Sequence, residues 1–241
     1  MTDFATLGYR VFDPDPGLAA WAAAALDAGR AVAADRALQA QWLRHGGTWF
    51  VGVDALPNAP DGSVQGAALT GPWQAHVRAP RRWHRAQLSV TYPRYPLQDG
   101  SESDANHRFR IRRCAAHVDG ILLEEGRRYL REPHSFILGL PLNVCTACPL
   151  MVWPGSHARI GPALRAARAH SDDITEPYKA IRAACFEQIT PVPVRARPGQ
   201  AILLHRHMLH GIAPWQSGDV MPPEGRMVAY FRPELDTAAQ W

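Results

Sequence analysis

The N-terminal run PDPGLAAWAAAALDAGRAVAADRALQAQWL is rich in Ala and Leu and has no proline after Pro16. That pattern predicts one or two helices, with Gly29 as a break. GTWFVGVDAL is β-branched and aromatic and predicts a strand, followed by a loop over PNAPDGSVQGAALTGP. RAQLSVTYPRYP predicts another strand, and the polar LQDGSESDANH a loop. From about residue 107 onward, short strand-like runs dominate: RFRIRRCAAHV, HSFILGLPL, LMVWPG, PVPVRARPG, QAILLH, HGIAPW and RMVAYFRP. One helical insert interrupts them, IGPALRAARAHSDDITEPYKAIRAACFEQ. Helices first and then many short strands split by turn residues predict a mainly β fold with flanking α-helices, a sandwich or barrel. No repeat or linker divides the chain, so residues 1–241 read as a single domain.

Composition adds bounds rather than chemistry. With 46% hydrophobic and 20% charged residues, the chain has the make-up of a globular protein. No apolar run approaches the ~20 residues that span a bilayer, and the start MTDFATLGYR lacks a signal-peptide pattern, so the expectation is a cytoplasmic protein with no membrane partner. The net charge of +4 is carried almost wholly by arginine. Arginine grips carboxylate and phosphate bidentately, which fits an anionic small-molecule substrate, whereas composition alone gives no case for nucleic acid. Cys145 and Cys148 form a lone C-x-x-C before Pro149, with no second pair to complete a zinc site.

Candidate chemistry begins with CAAHVDGILL. Residues two apart on a strand share a face, so His117 and Asp119 can reach one point, and Gly120 lets the chain turn afterwards. Further on, PGQAILLHRHMLHGIAPW supplies His205, His207 and His210. Two imidazoles and a carboxylate form the facial triad suited to non-haem Fe(II). Spacing alone does not choose among the three histidines; His210 is preferred because Gly211 follows it, where backbone could pass close to a metal. Arg226 opens the run RMVAYF, from which its guanidinium could grip a dicarboxylate.

HVDG, MVWPGSH, LLHRHMLHG and GRMVAYF, in that order, resemble the phytanoyl-CoA dioxygenase family over roughly residues 85–233. The resemblance implies a double-stranded β-helix, a jelly-roll relative of the cupins, and the Ala- and Leu-rich pattern before it reads as a helical part over about residues 1–45. It implies an oxygenase that uses Fe(II), 2-oxoglutarate and O2, with His117, Asp119 and His210 as iron ligands and Arg226 on the cosubstrate carboxylate. The WPGSH motif reads as a structural turn. One position departs from the family: Ile212 stands where Ser or Thr often helps to hold the cosubstrate. Gln87, Ser89 and Tyr92 on the preceding strand are the replacements expected.

If RFRIRRCAAHVD is a regular strand, Arg113 shares the face of His117 and points inward, toward a substrate carboxylate or phosphate or an internal acid. Two other readings stay open. Arg226 and Arg232 also match the R-x5-R spacing of AlkB-type nucleic-acid demethylases, and a cupin-like protein could bind a metal and ligand without turnover.

Overall fold

A computed structural model describes residues 4–237, 240 and 241. The chain begins with α1 (Phe4–Leu7), β1 (Tyr9–Val11), α2 (Pro16–Ala34), α3 (Arg36–Trp42), β2 (Leu43–Arg44), β3 (Trp49–Gly52) and β4 (Gln87–Thr91). Next come α4 (Asp104–Arg113), β5 (Ile121–Glu124), β6 (Arg127–Leu130), β7 (Phe136–Pro141) and β8 (Leu150–Val152). α5 (Ser156–Arg168) and α6 (Thr175–Gln188) precede β9 (Val192–Val194), β10 (Ile202–His205), β11 (His210–Ile212) and β12 (Arg226–Phe231).

Asp15 caps α2 by accepting a hydrogen bond from Leu18 N at 3.0 Å, and Pro16 occupies the first turn, where its missing N–H costs nothing. The helix does not break at Gly29. A Cβ there would stand 3.3 Å from the Leu88 side chain, so the glycine lets the helix lie close on the sheet. The chain turns instead at Asp35, whose carboxylate accepts from Ala37 N and Leu38 N to start α3.

The strands form a double-stranded β-helix. A seven-stranded antiparallel sheet, β1-β10-β7-β12-β4-β3-β2, faces a three-stranded sheet, β11-β8-β9, and the larger sheet does not close on itself. Alternation along β12 sorts its side chains between two cores. Met227, Ala229 and Phe231 pack outward with Trp21 of α2 and Trp73, while Val228 and Tyr230 pack inward with Ile137, Leu150, Val152 and Ile202. A third cluster sets α5 and α6, through Ile160, Leu164 and Tyr178, against Ala116, Val118 and Leu209. Among the described residues, no helix is long and apolar enough to cross a membrane.

The strand expected over RFRIRRCAAHV is overturned. Residues 104–113 form α4, started by the Ser103 hydroxyl accepting from Asn106 N at 3.3 Å and ended by Cys114 in the left-handed region. The Arg110 guanidinium donates twice to Glu102, and Phe109 meets the Phe186 ring edge-on at 6.0 Å. β1, β2 and the β5–β6 hairpin were not foreseen. The hairpin turn, Glu125–Gly126, has positive φ at both residues, the conformation that suits a two-residue turn to strand twist.

Candidate metal centre

His117 and Asp119 lie between α4 and β5, and His210 opens β11. The two segments are zipped together: His117 N donates to His210 O at 2.9 Å, and His210 N donates back to His117 O at 3.1 Å. Gly211 permits this approach, since a Cβ there would fall 2.1 Å from the Cys114 carbonyl oxygen. The glycine therefore serves a backbone contact rather than room beside an ion, which corrects the reason for preferring His210. Alternation then directs the side chains: Ala116 and Val118 enter the core beneath α5 and α6, and His117 and Asp119 point the other way. The Tyr178 hydroxyl accepts from Val118 N at 3.0 Å and fixes the segment from behind. Gly120, at φ +82°, turns the chain where a Cβ would fall 1.9 Å from the Glu132 carbonyl oxygen.

One ligand atom from each of His117, Asp119 and His210 lies within 4.8 Å of the others. His117 Nε2 stands 3.0 Å from Asp119 Oδ1, and His210 Nε2 stands 3.7 Å from Asp119 Oδ2. Each imidazole presents Nδ1 to a main-chain carbonyl, His117 to Ala115 O at 3.0 Å and His210 to Met208 O at 2.9 Å. A carbonyl only accepts, so each Nδ1 carries a proton and Nε2 is the atom that each ring directs at the shared point. Burial raises the Asp119 carboxyl, but Arg232, His210 and His117 outweigh burial and hold it well below the usual carboxylate range. Burial lowers His210 to about 4, against the pull of Asp119. At neutral pH the pair is thus a carboxylate and a neutral imidazole, the protonation states that ligate.

Arg232 is the neighbour that the sequence did not place here. Its Nε donates to Asp119 Oδ2, and its Nη1 donates to Gln87 Oε1 at 3.0 Å. Gln87, at the start of β4, therefore braces the arginine that orients Asp119. Carboxylates that ligate are commonly held by such partners, whose loss costs about 10–100-fold in metal affinity. Arg232→Gln is expected to weaken Co(II) binding by about that factor, with Arg232→Lys recovering part of it, as read by spectroscopic titration. Wild-type affinity in Arg232→Gln would reduce the pair to a strand-end ion pair.

The three residues open on a cavity of about 1440 Å³ whose wall includes Trp49, Gln87, Ser89, Leu150, Ile212 and Tyr230. Ile212, the departure from the family pattern, thus lies in the wall itself. Arg226 is buried on β12 beside its register partner Thr91 on β4, one inward-facing pair beyond Val228 and Ser89. It lines a small crevice with Asn143, Cys145 and Pro149, not the large cavity. Arg226 Nη1 is buried without a hydrogen-bond partner among the described residues, and buried Thr91 Oγ1 has no partner beyond the Cys148 thiol. Thr91 escaped the sequence reading because only the β4–β12 register sets it against Arg226.

Other expectations are corrected. Tyr92 packs against the outer core and does not line the cavity, because the residue after Thr91 faces the opposite side. Arg113 is exposed at the end of α4, over the Phe186 ring at 5.0 Å and donating to Phe186 O at 3.4 Å. The inward placement required a strand that is a helix, and the residue does not line the cavity. His207 packs edge-on to Trp241 at 4.3 Å, His205 lies tilted against His157 at 4.8 Å, and neither joins the metal-competent group. His157 Nε2 lies 2.9 Å from Ala5 O at the start of α5, tying down the N-terminal segment. All four cysteines are free.

No family model matches the chain, and no curated protein matches it. Solved structures do. The non-haem α-ketoglutarate-dependent carbocyclase SnoK from nogalamycin biosynthesis is 14% identical, with 97% of this chain and 85% of SnoK covered and a TM-score of 0.51. EctD from S. alaskensis, with 2-oxoglutarate and 5-hydroxyectoine, is 17% identical over 95% of this chain and 72% of EctD, with a TM-score of 0.43. HygX from Streptomyces hygroscopicus, with nickel and 2-oxoglutarate, is 15% identical over 95% of this chain and 84% of HygX, with a TM-score of 0.41. At these identities the likeness is one of fold.

Proposed function

We propose that the chain is a single-domain oxygenase dependent on Fe(II) and 2-oxoglutarate, acting on a small molecule. The observation that carries this reading is the convergence of two imidazole Nε2 atoms and one carboxylate on a point at the cavity wall. That donor set suits a first-row divalent ion and leaves coordination positions for a cosubstrate and O2. SnoK, which shares the fold, is itself dependent on α-ketoglutarate, that is, 2-oxoglutarate.

The residues present also fit 2-oxoglutarate. Arg226 Nη1, buried without a partner, is costly unless an acceptor reaches it, and the Thr91 hydroxyl beside it meets only the weak Cys148 thiol. The distal carboxylate of the cosubstrate would satisfy both, with Thr91 supplying the hydroxyl that Ile212 lacks. His117, Asp119 and His210 would hold the ion, and Arg232 with Gln87 would keep Asp119 aligned. Iron and 2-oxoglutarate, when bound, would supply oxidation of a substrate C–H bond coupled to conversion of the cosubstrate to succinate. The apolar wall around Leu150 and Ile212 would keep water from that point. Calorimetric titration of the metal-free protein with Mn(II) is expected to give one site per chain, absent in His117→Ala. A protein that binds no ion under these conditions is not this enzyme.

A further inference from the structure

The segment RAPRRWHR, residues 78–85, bridges Trp73 and β4 along one wall of the cavity that holds the metal-competent residues. Half of it is pinned. Trp83 is buried, meets Trp73 at 5.6 Å and Phe231 at 4.9 Å between ring centroids, and donates its main-chain N–H to Pro60 O at 2.8 Å. Arg85 donates to Ala55 O at 2.7 Å and Leu56 O at 3.2 Å. His84 contacts Asp54. Arg78, Arg81 and Arg82 differ: all three are exposed, all three line the cavity, and none has an ion-pair or hydrogen-bond partner among the described residues. The carboxylates of the same cavity do not neutralise them. Asp54 is engaged by His84, Asp119 by Arg232, and Glu132 lies against His134 at 3.5 Å. Glu234 and Asp236 make no ion pair with the three arginines.

An exposed guanidinium is well solvated, so lack of a partner says little by itself. Placement is what matters here. Three arginines within five positions, on a segment anchored by two buried tryptophans, stand on the wall leading to the metal-competent residues. We infer that Arg78, Arg81 and Arg82 form a subsite for an oxyanion group, carboxylate or phosphate, carried by the substrate. As the substrate's site, this rests on the oxygenase reading; as an anion subsite, it stands alone. Guanidinium forks match both oxyanions bidentately, and the anchored segment lowers the entropy lost on binding. Clustered charge at a cavity with low-dielectric walls also draws anions in. The cosubstrate does not use this subsite, because its distal carboxylate is assigned to buried Arg226.

The test uses Mn(II)-loaded protein saturated with 2-oxoglutarate under anaerobic conditions, so that the cosubstrate position is filled. Two matched pairs are titrated calorimetrically: glucose 6-phosphate against glucose, and benzoate against benzamide. The expected result is that at least one anion binds about tenfold or more tightly than its neutral partner, less so at high salt. The two pairs tell phosphate from carboxylate. Arg78→Gln/Arg81→Gln/Arg82→Gln is expected to abolish the preference, while Arg36→Gln/Arg112→Gln, at exposed arginines outside the cavity, preserves it. Each single variant should show a partial loss, which guards against a triple variant that fails to fold. Equal binding of anions and neutrals, or a preference surviving in the folded triple variant, overturns the subsite. If Mn(II) and 2-oxoglutarate do not bind but the arginine-dependent anion preference persists, the oxygenase reading fails and the subsite stands.

Discussion

An Asp119→Ala protein is expected to bind Co(II) at least about 100-fold more weakly than wild type and to lose 2-oxoglutarate turnover. Asp119 lies between both Nε2 atoms, 3.0 Å from His117 and 3.7 Å from His210. Removing it takes away the anionic donor and leaves the two imidazoles with the Arg232 guanidinium as their remaining neighbour. A cation beside an ion site repels the ion, so the loss should exceed that of a single donor atom. The same change strands Arg232 and lowers stability, so melting temperature is measured alongside. Asp119→Asn keeps the shape and separates the two effects: it should melt nearer wild type and still bind metal poorly. Wild-type Co(II) affinity in a folded Asp119→Ala protein would place any metal elsewhere.

Arg226→Ala is expected to weaken 2-oxoglutarate binding to the Mn(II)-loaded protein by about tenfold to a hundredfold, the range of a lost charge-assisted hydrogen bond. Metal affinity should not change, because Arg226 lies beyond Val228 and Ser89 and touches none of the three donors. Thr91→Val should weaken cosubstrate binding less, and the double variant should fall short of the sum, because both groups serve one carboxylate. Unchanged cosubstrate affinity in Arg226→Ala would make the pair a structural feature of the β4–β12 junction. Additive losses would mean that Thr91 and Arg226 act on different atoms.

The sequence carried the β-rich architecture because its short apolar runs, cut by proline and glycine, are long enough for strands and too short for helices. It also carried the convergence of His117, Asp119 and His210, because the alternation around residues 116–119 is real. The same alternation misled ten residues upstream. R-F-R-I-R reads as a strand face, but the choice was made by the Ser103 cap, the Glu102–Arg110 pair and the Phe186 ring, which is distant in sequence. Arg113 went astray with it. On β4 the error was one of parity: Gln87 and Ser89 share the inward face with Thr91, whereas Tyr92 turns outward. The pairing of Thr91 with Arg226, and of Arg232 with Asp119, depends on strand register across more than a hundred residues, which no local pattern encodes.

The most direct measurement is succinate formed from 2-oxoglutarate by purified protein with Fe(II) in air, compared between wild type and Asp119→Ala. Wild type is expected to form succinate even without a known substrate, and Asp119→Ala none above background. Wild-type protein that is folded and metal-loaded yet forms no more succinate than Asp119→Ala would contradict the oxygenase reading.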